Sequence, residues 1–106
     1  MRDSYPVFIQ ELKESDPKFF EQITEIFELA MAPGELDSKT KILIAMTLDA
    51  LSGSKDGVRM LSNVARHLGV TDAQIAEALR IAYFVAGNSV LAASNAAFSK
   101  SEDKKA

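Results

Sequence analysis

The chain has no cysteine among its 106 residues, and that absence closes more chemistry than any residue present opens. Disulfide exchange, a peroxidatic thiolate and thiolate ligation of a metal all require an ionisable sulfur. The thioethers of Met31, Met46 and Met60 do not replace it, because a thioether is not an ionisable nucleophile. His67 is the only histidine, so a multi-histidine metal site within one chain is excluded as well. No metal and no other cofactor is expected.

Charge of one sign is also missing. Twelve basic residues stand against 15 acidic ones, interspersed, for a net charge of −3. No basic stripe argues for nucleic acid or for an anionic membrane. No uninterrupted apolar segment of signal-peptide length follows Met1-Arg2-Asp3-Ser4. No uncharged run approaches the roughly 20 apolar residues that span a bilayer. The longest, Ile81 to Ser99, is interrupted by Gly87-Asn88-Ser89. The expectation is a cytoplasmic protein with one domain over residues 1–98 and a charged, frayed tail over 99–106. Its 47% hydrophobic content is ordinary for a globular domain.

What is present is helical periodicity, with no internal repeat and no strand pattern. A short helix is predicted after Tyr5-Pro6, carrying Val7, Phe8, Ile9 and Leu12. Asp16 reads as the next N-cap, with Pro17 at the first helical position where its missing N–H costs nothing. Phe19, Phe20, Ile23, Ile26, Phe27, Ala30 and Met31 then share one side, and Ala32-Pro33-Gly34 ends the helix. Asp37 or Ser38 caps a helix running to about Leu51 that is apolar on every face except at Thr47 and Asp49. After Ser52-Gly53 a helix from about Ser54 offers Gly57, Met60, Leu61, Val64, Ala65 and Leu68 as a seam, with Gly69 as its left-handed terminus. Thr71 and Gln74 form a capping box, and Val70 and Ile75 occupy the staple positions. That helix is predicted to run to about Ala86, with a break at Gly87-Asn88 and a last helix over Val90 to Phe98.

A lysine-bearing helix start at 36–41, an apolar central helix, a second helix with Ala65 four residues before Gly69, and a third opened by Gly69-Val70-Thr71 follow one another in this order. That order and spacing resembles the carboxymuconolactone decarboxylase family, whose other branch is the alkyl hydroperoxidase D type; the likeness covers about residues 17 to 98. It implies an all-α bundle of five or six helices that assembles as a homo-oligomer, from dimer to hexamer. Two helices that are apolar nearly all round in so short a chain point the same way. The family's redox positions, counted back from Gly69, fall on Ile42 for the glutamate, Ser54 and Gly57 for the two cysteines and Leu61 for the histidine. The decarboxylase branch also carries a histidine at the position of Leu61. Both chemistries of the family thus lose their key groups here.

The remaining candidates are sparse. Asp49 interrupts an apolar helix, and a carboxylate there must be paired, hydrogen-bonded or protonated. It is either a general acid or ligand-orienting group, or a structural partner of Lys55, Arg59 or a neighbouring subunit's arginine. Tyr83 offers a phenolic donor. Lys55, Arg59 and Asn88 could hold a ligand, an anionic one at the two bases. Ser54 reads as an N-cap rather than a nucleophile, and His67 as a helix-end or surface residue. Three functions follow: a thiol-independent enzyme or binder acting on a small anionic or carbonyl metabolite, by a decarboxylation or lactone-type reaction in the enzyme case; a non-catalytic oligomeric module for a ligand or partner; or a hydroperoxidase-like antioxidant by family name only, which the missing thiols contradict.

Overall fold

The computed structural model describes residues 5–99, and these form five α-helices and one short 3₁₀ helix in sequence, with no strand among the described residues. They are α1 (Val7–Ser15), α2 (Pro17–Met31), α3 (Ser38–Ser52), α4 (Lys55–His67) and α5 (Asp72–Ser94), closed by a 3₁₀ turn at Asn95–Phe98. The frayed tail read from the sequence lies outside the described residues from position 100 onward.

Four of the five helices begin on a side-chain cap. Asp16 accepts from the N–H of Phe19 at 3.2 Å, Asp37 from Thr40 at 2.7 Å, Ser54 from Gly57 at 3.2 Å, and Thr71 from Gln74 at 3.1 Å. Gln74 returns the bond to Thr71 N–H at 2.9 Å, completing the capping box. Each such cap satisfies an N–H that the helix itself leaves unpaired. The Thr40 backbone N–H and hydroxyl hold the Asp37 carboxyl below the usual aspartate range. Gly53 and Gly69, at φ 80° and 93°, take the left-handed conformation that ends α3 and α4.

The helices pack around two separate cores. Tyr5, Ile9 and Phe20 are buried where α1 folds back on α2, with Leu12, Ile23 and Phe27 packed against them. Ile42, Met46, Ala65, Val70 and Ile75 are buried where α3, α4 and the start of α5 converge. Met31 leans on the second cluster from the end of α2. Both staple residues of the α5 start, Val70 and Ile75, lie in this core. The two units touch little, so the chain is long: its radius of gyration is 18.7 Å and its extents are 56 × 38 × 26 Å. A compact chain of this length has a radius of about 13 Å.

Two expectations need correction. No break occurs at Gly87-Asn88, and no separate helix starts at Val90; α5 is one helix of 23 residues. A glycine inside a helix costs only about 1 kcal/mol relative to alanine, and the residues on either side, with no proline, keep the hydrogen-bond ladder going. Residues Asp72–Phe98 are consequently long and apolar enough, by length and composition alone, to cross a membrane. The predicted face of α2 is also too wide. Phe20 is buried and Ile23, Phe27 and Met31 are half-buried, whereas Phe19, Ile26 and Ala30 are exposed, because α2 meets α1 along one narrow stripe.

Candidate functional site

A groove of about 400 Å³ opens where the α1–α2 unit meets α3 and α4. Its α3 wall presents Ile42, Ala45 and Asp49, which stand at i, i+3 and i+7 on one helix face. Leu61 and Val64 face them from α4, and Phe27 and Met31 close the side toward α2. Tyr5 lies at the α1 end, its ring against Phe27 with centroids 5.0 Å apart. The lining is apolar apart from the side chains of Asp49 and Glu28, the Tyr5 hydroxyl being buried. No lysine, arginine or histidine reaches it.

Ile42 and Leu61, which stand where the resemblance places an acid and a histidine, therefore lie on facing walls of this groove. Both now offer only hydrocarbon. Gly57 and Ser54 lie beyond Asp49, and the geometry there is unusually tight. A Cβ added at Gly57 would fall 2.1 Å from Oδ2 of Asp49 and 2.8 Å from Oγ of Ser54. The Asp49 carboxylate thus fills the space from which any side chain at position 57 would project. Glycine at 57 and aspartate at 49 are two halves of one arrangement.

Asp49 pairs with neither of the partners expected from the sequence. Arg59 is bound to Asp56 at 2.8 Å on the helix surface, and Lys55 is exposed. The Asp49 carboxylate has no hydrogen-bond or ion-pair partner among the described residues. It is only half-buried, and it lies against the first turn of α4, where the helix dipole favours negative charge. Those two conditions let an unpaired carboxylate persist.

The other candidates scatter. Ser54 caps α4, while His67 ends it with Nδ1 2.8 Å from the Asn63 carbonyl. The length of α4 separates them by roughly 20 Å, so no serine–histidine pair forms within the chain. Tyr83 is 83% exposed, Asn88 is exposed as well, and neither lines the groove. Among the described residues no three acidic or histidine side chains gather to hold a metal ion. Sequence reasoning missed Tyr5 and Glu28. Tyr5 carries no local signal beyond preceding Pro6, and its hydroxyl is buried with no hydrogen-bond partner.

The whole arrangement, an apolar α3–α4 pair with its polar exception at the α3 end, sits inside a stretch with a recognisable pedigree. No curated protein and no solved structure matches the chain. The profile of the carboxymuconolactone decarboxylase family does, from residue 17 to residue 99, which takes in the whole of α2 to α5. With its helices in the family's order and its thiols absent, the chain belongs to the carboxymuconolactone decarboxylase family.

Proposed function

We propose that the protein binds a small, largely apolar molecule in the groove between α1–α2 and α3–α4, independently of thiol chemistry, and that it does so as a homo-oligomer. The carrying observation is that the family's redox positions Ile42 and Leu61 line this groove as hydrocarbon while Asp49 supplies a carboxylate with no partner at its α4 end. The lining argues against an anionic ligand, because it holds two carboxylates and Lys55 and Arg59 lie outside it. A carbonyl group would find no exposed side-chain donor there, since the Tyr5 hydroxyl is buried away from the groove's open space. Binding without turnover accounts for the lining as it stands. A decarboxylation or lactone reaction would have the carboxyl groups of Asp49 and Glu28 as its proton-transferring groups in the groove.

The oligomer reading rests on exposed apolar surface. It sits on the second half of α5, where Ile81, Phe84 and Leu91 are 64%, 69% and 69% exposed, the kind of contiguous apolar face that marks an interaction site. Cover from other copies is what would make this a cytoplasmic protein rather than a membrane-bound one.

The groove is tested through its methionines. Met31 and Met60 line it, and Met46 is wholly buried in the neighbouring core. With methionine methyls labelled with carbon-13, titration with phenethyl alcohol should move the Met31 and Met60 signals together and saturably. In Ala45→Trp, which fills the groove, the response should vanish. Signals that stay fixed in the wild type, or that shift equally in the filled variant, would remove the groove as a ligand site.

A further inference from the structure

The charged side chains of the groove are both carboxylates, and this limits what a ligand must bring. Asp49 contributes a carboxylate with no donor beside it, Glu28 contributes a second carboxylate from the exposed side of α2, and no side-chain cation faces either from the groove. Tyr5, 6% exposed, lines the groove with its ring, and its hydroxyl is buried out of the groove's reach. The walls between these groups are hydrocarbon: Phe27, Met31, Ile42 and Leu61 among them.

Resting on the reading of this groove as a ligand site, we propose that its ligand is an amine: a largely apolar body carrying a protonated nitrogen that donates to Asp49. The fit is geometric as well as electrostatic. The Asp49 carboxylate is held in place by Gly57, whose lack of a side chain leaves it room against the first turn of α4. Half-buried and bordered by apolar walls, it is less screened than a surface carboxylate, so a charge-assisted hydrogen bond there is stronger than at an exposed site. Selectivity then comes from sign: an anion of the same shape would enter against two carboxylates and find no base.

The experiment uses the full chain with the same labelled methionines and three probes of similar body: phenethylamine, phenethyl alcohol and 3-phenylpropionate. The amine should bind about tenfold or more tightly than the propionate, the range expected for a hydrogen bond to a charged group. Asp49→Asn should weaken the amine about tenfold and leave the alcohol within about twofold. Glu28→Gln, at an exposed position, should have a smaller effect. Propionate binding as tightly as the amine, or an amine preference that survives in Asp49→Asn, would overturn the inference. Should that variant fail to fold, the wild-type order of amine over propionate decides by itself. An alcohol that moves Met31 and Met60 while the amine shows no advantage sinks the amine alone; three probes that move neither methyl sink the groove reading with it.

Discussion

The two halves of α5 have opposite fates. Its first two turns begin on the Thr71–Gln74 capping box and bury Ile75 to 7% exposure against α3 and α4. From Ile81 onward the same helix carries Phe84, Val85, Val90 and Leu91 into solvent, each more than half exposed. Local sequence points the other way: Asp72, Glu77 and Arg80 lie in the half that packs, and Ile81 to Ser94 carry no charge at all. The difference lies in what is available to pack. α3 and α4 are each about as long as the first half of α5 requires, and among the described residues the remaining helices α1 and α2 form a separate core of their own. A helix that outruns its own core is a surface waiting for another molecule.

The comparison makes its strongest demand on paired substitutions. Ile75→Ala should lower unfolding stability by about 2–5 kcal/mol, as large-to-small changes in a packed core do, leaving the mass of the assembly unchanged while it remains folded. Phe84→Glu with Leu91→Glu should do the reverse, reducing the mass by light scattering to the 11.5 kDa of one chain with helical circular dichroism retained. If the doubly charged variant keeps the wild-type mass, the second half of α5 is not the contact surface. If the wild type itself scatters as an 11.5 kDa monomer, the oligomer reading fails outright.

A second prediction sets the groove end of α3 against the α5 surface. Gly57→Ala places a methyl 2.1 Å from the Asp49 carboxylate, so one of them must move. Such overpacking should cost about 1–3 kcal/mol, and Asp49→Ala in the same chain should return most of it in a double-mutant cycle. Asp49→Asn alone, with no ion-pair partner to strand, should shift stability by no more than about 0.5 kcal/mol, as other substitutions away from such features do. A loss of several kcal/mol on Asp49→Asn would instead expose an ion pair formed in the assembly. The smallest effect tests the continuity of α5. Gly87 has nothing within 4 Å of the place a Cβ would occupy, and its φ is not positive. Gly87→Ala should therefore stabilise by about 0.5–1 kcal/mol in chemical denaturation, the difference in helix propensity. A destabilised variant would mean that the helix is interrupted there after all.

Most of what was legible in the sequence concerned where helices start. Asp16, Asp37, Ser54 and Thr71 are all N-caps, and each is recognisable because a cap bonds an N–H only three residues away. Gly53 and Gly69 mark helix ends for an equally local reason, their positive φ. The family was legible too, since its positions are ordered along one stretch of chain. Gly87 misled because the break it suggests is a matter of about 1 kcal/mol, small beside the whole ladder of a long helix.

Burial was not legible, because it depends on which surfaces meet. The face of α2 reads as seven apolar residues, yet Phe19 and Ile26 are exposed and Phe20 is buried, a choice made by where α1 folds back. The candidate site shows the same division. Asp49 stood out as an anomaly in an apolar helix, but its place against Gly57 required α3 and α4 to pack at one distance. Tyr5 lies forty-four residues before Asp49 and reaches the same groove only because α1 doubles back on α2. The sequence by itself determined where the helices start, their caps and the loss of thiol chemistry, all of which depend on residue type and short-range bonding. The tertiary structure decided the groove, the unpaired carboxylate within it and the uncovered half of α5, because each depends on contacts between residues far apart in the chain.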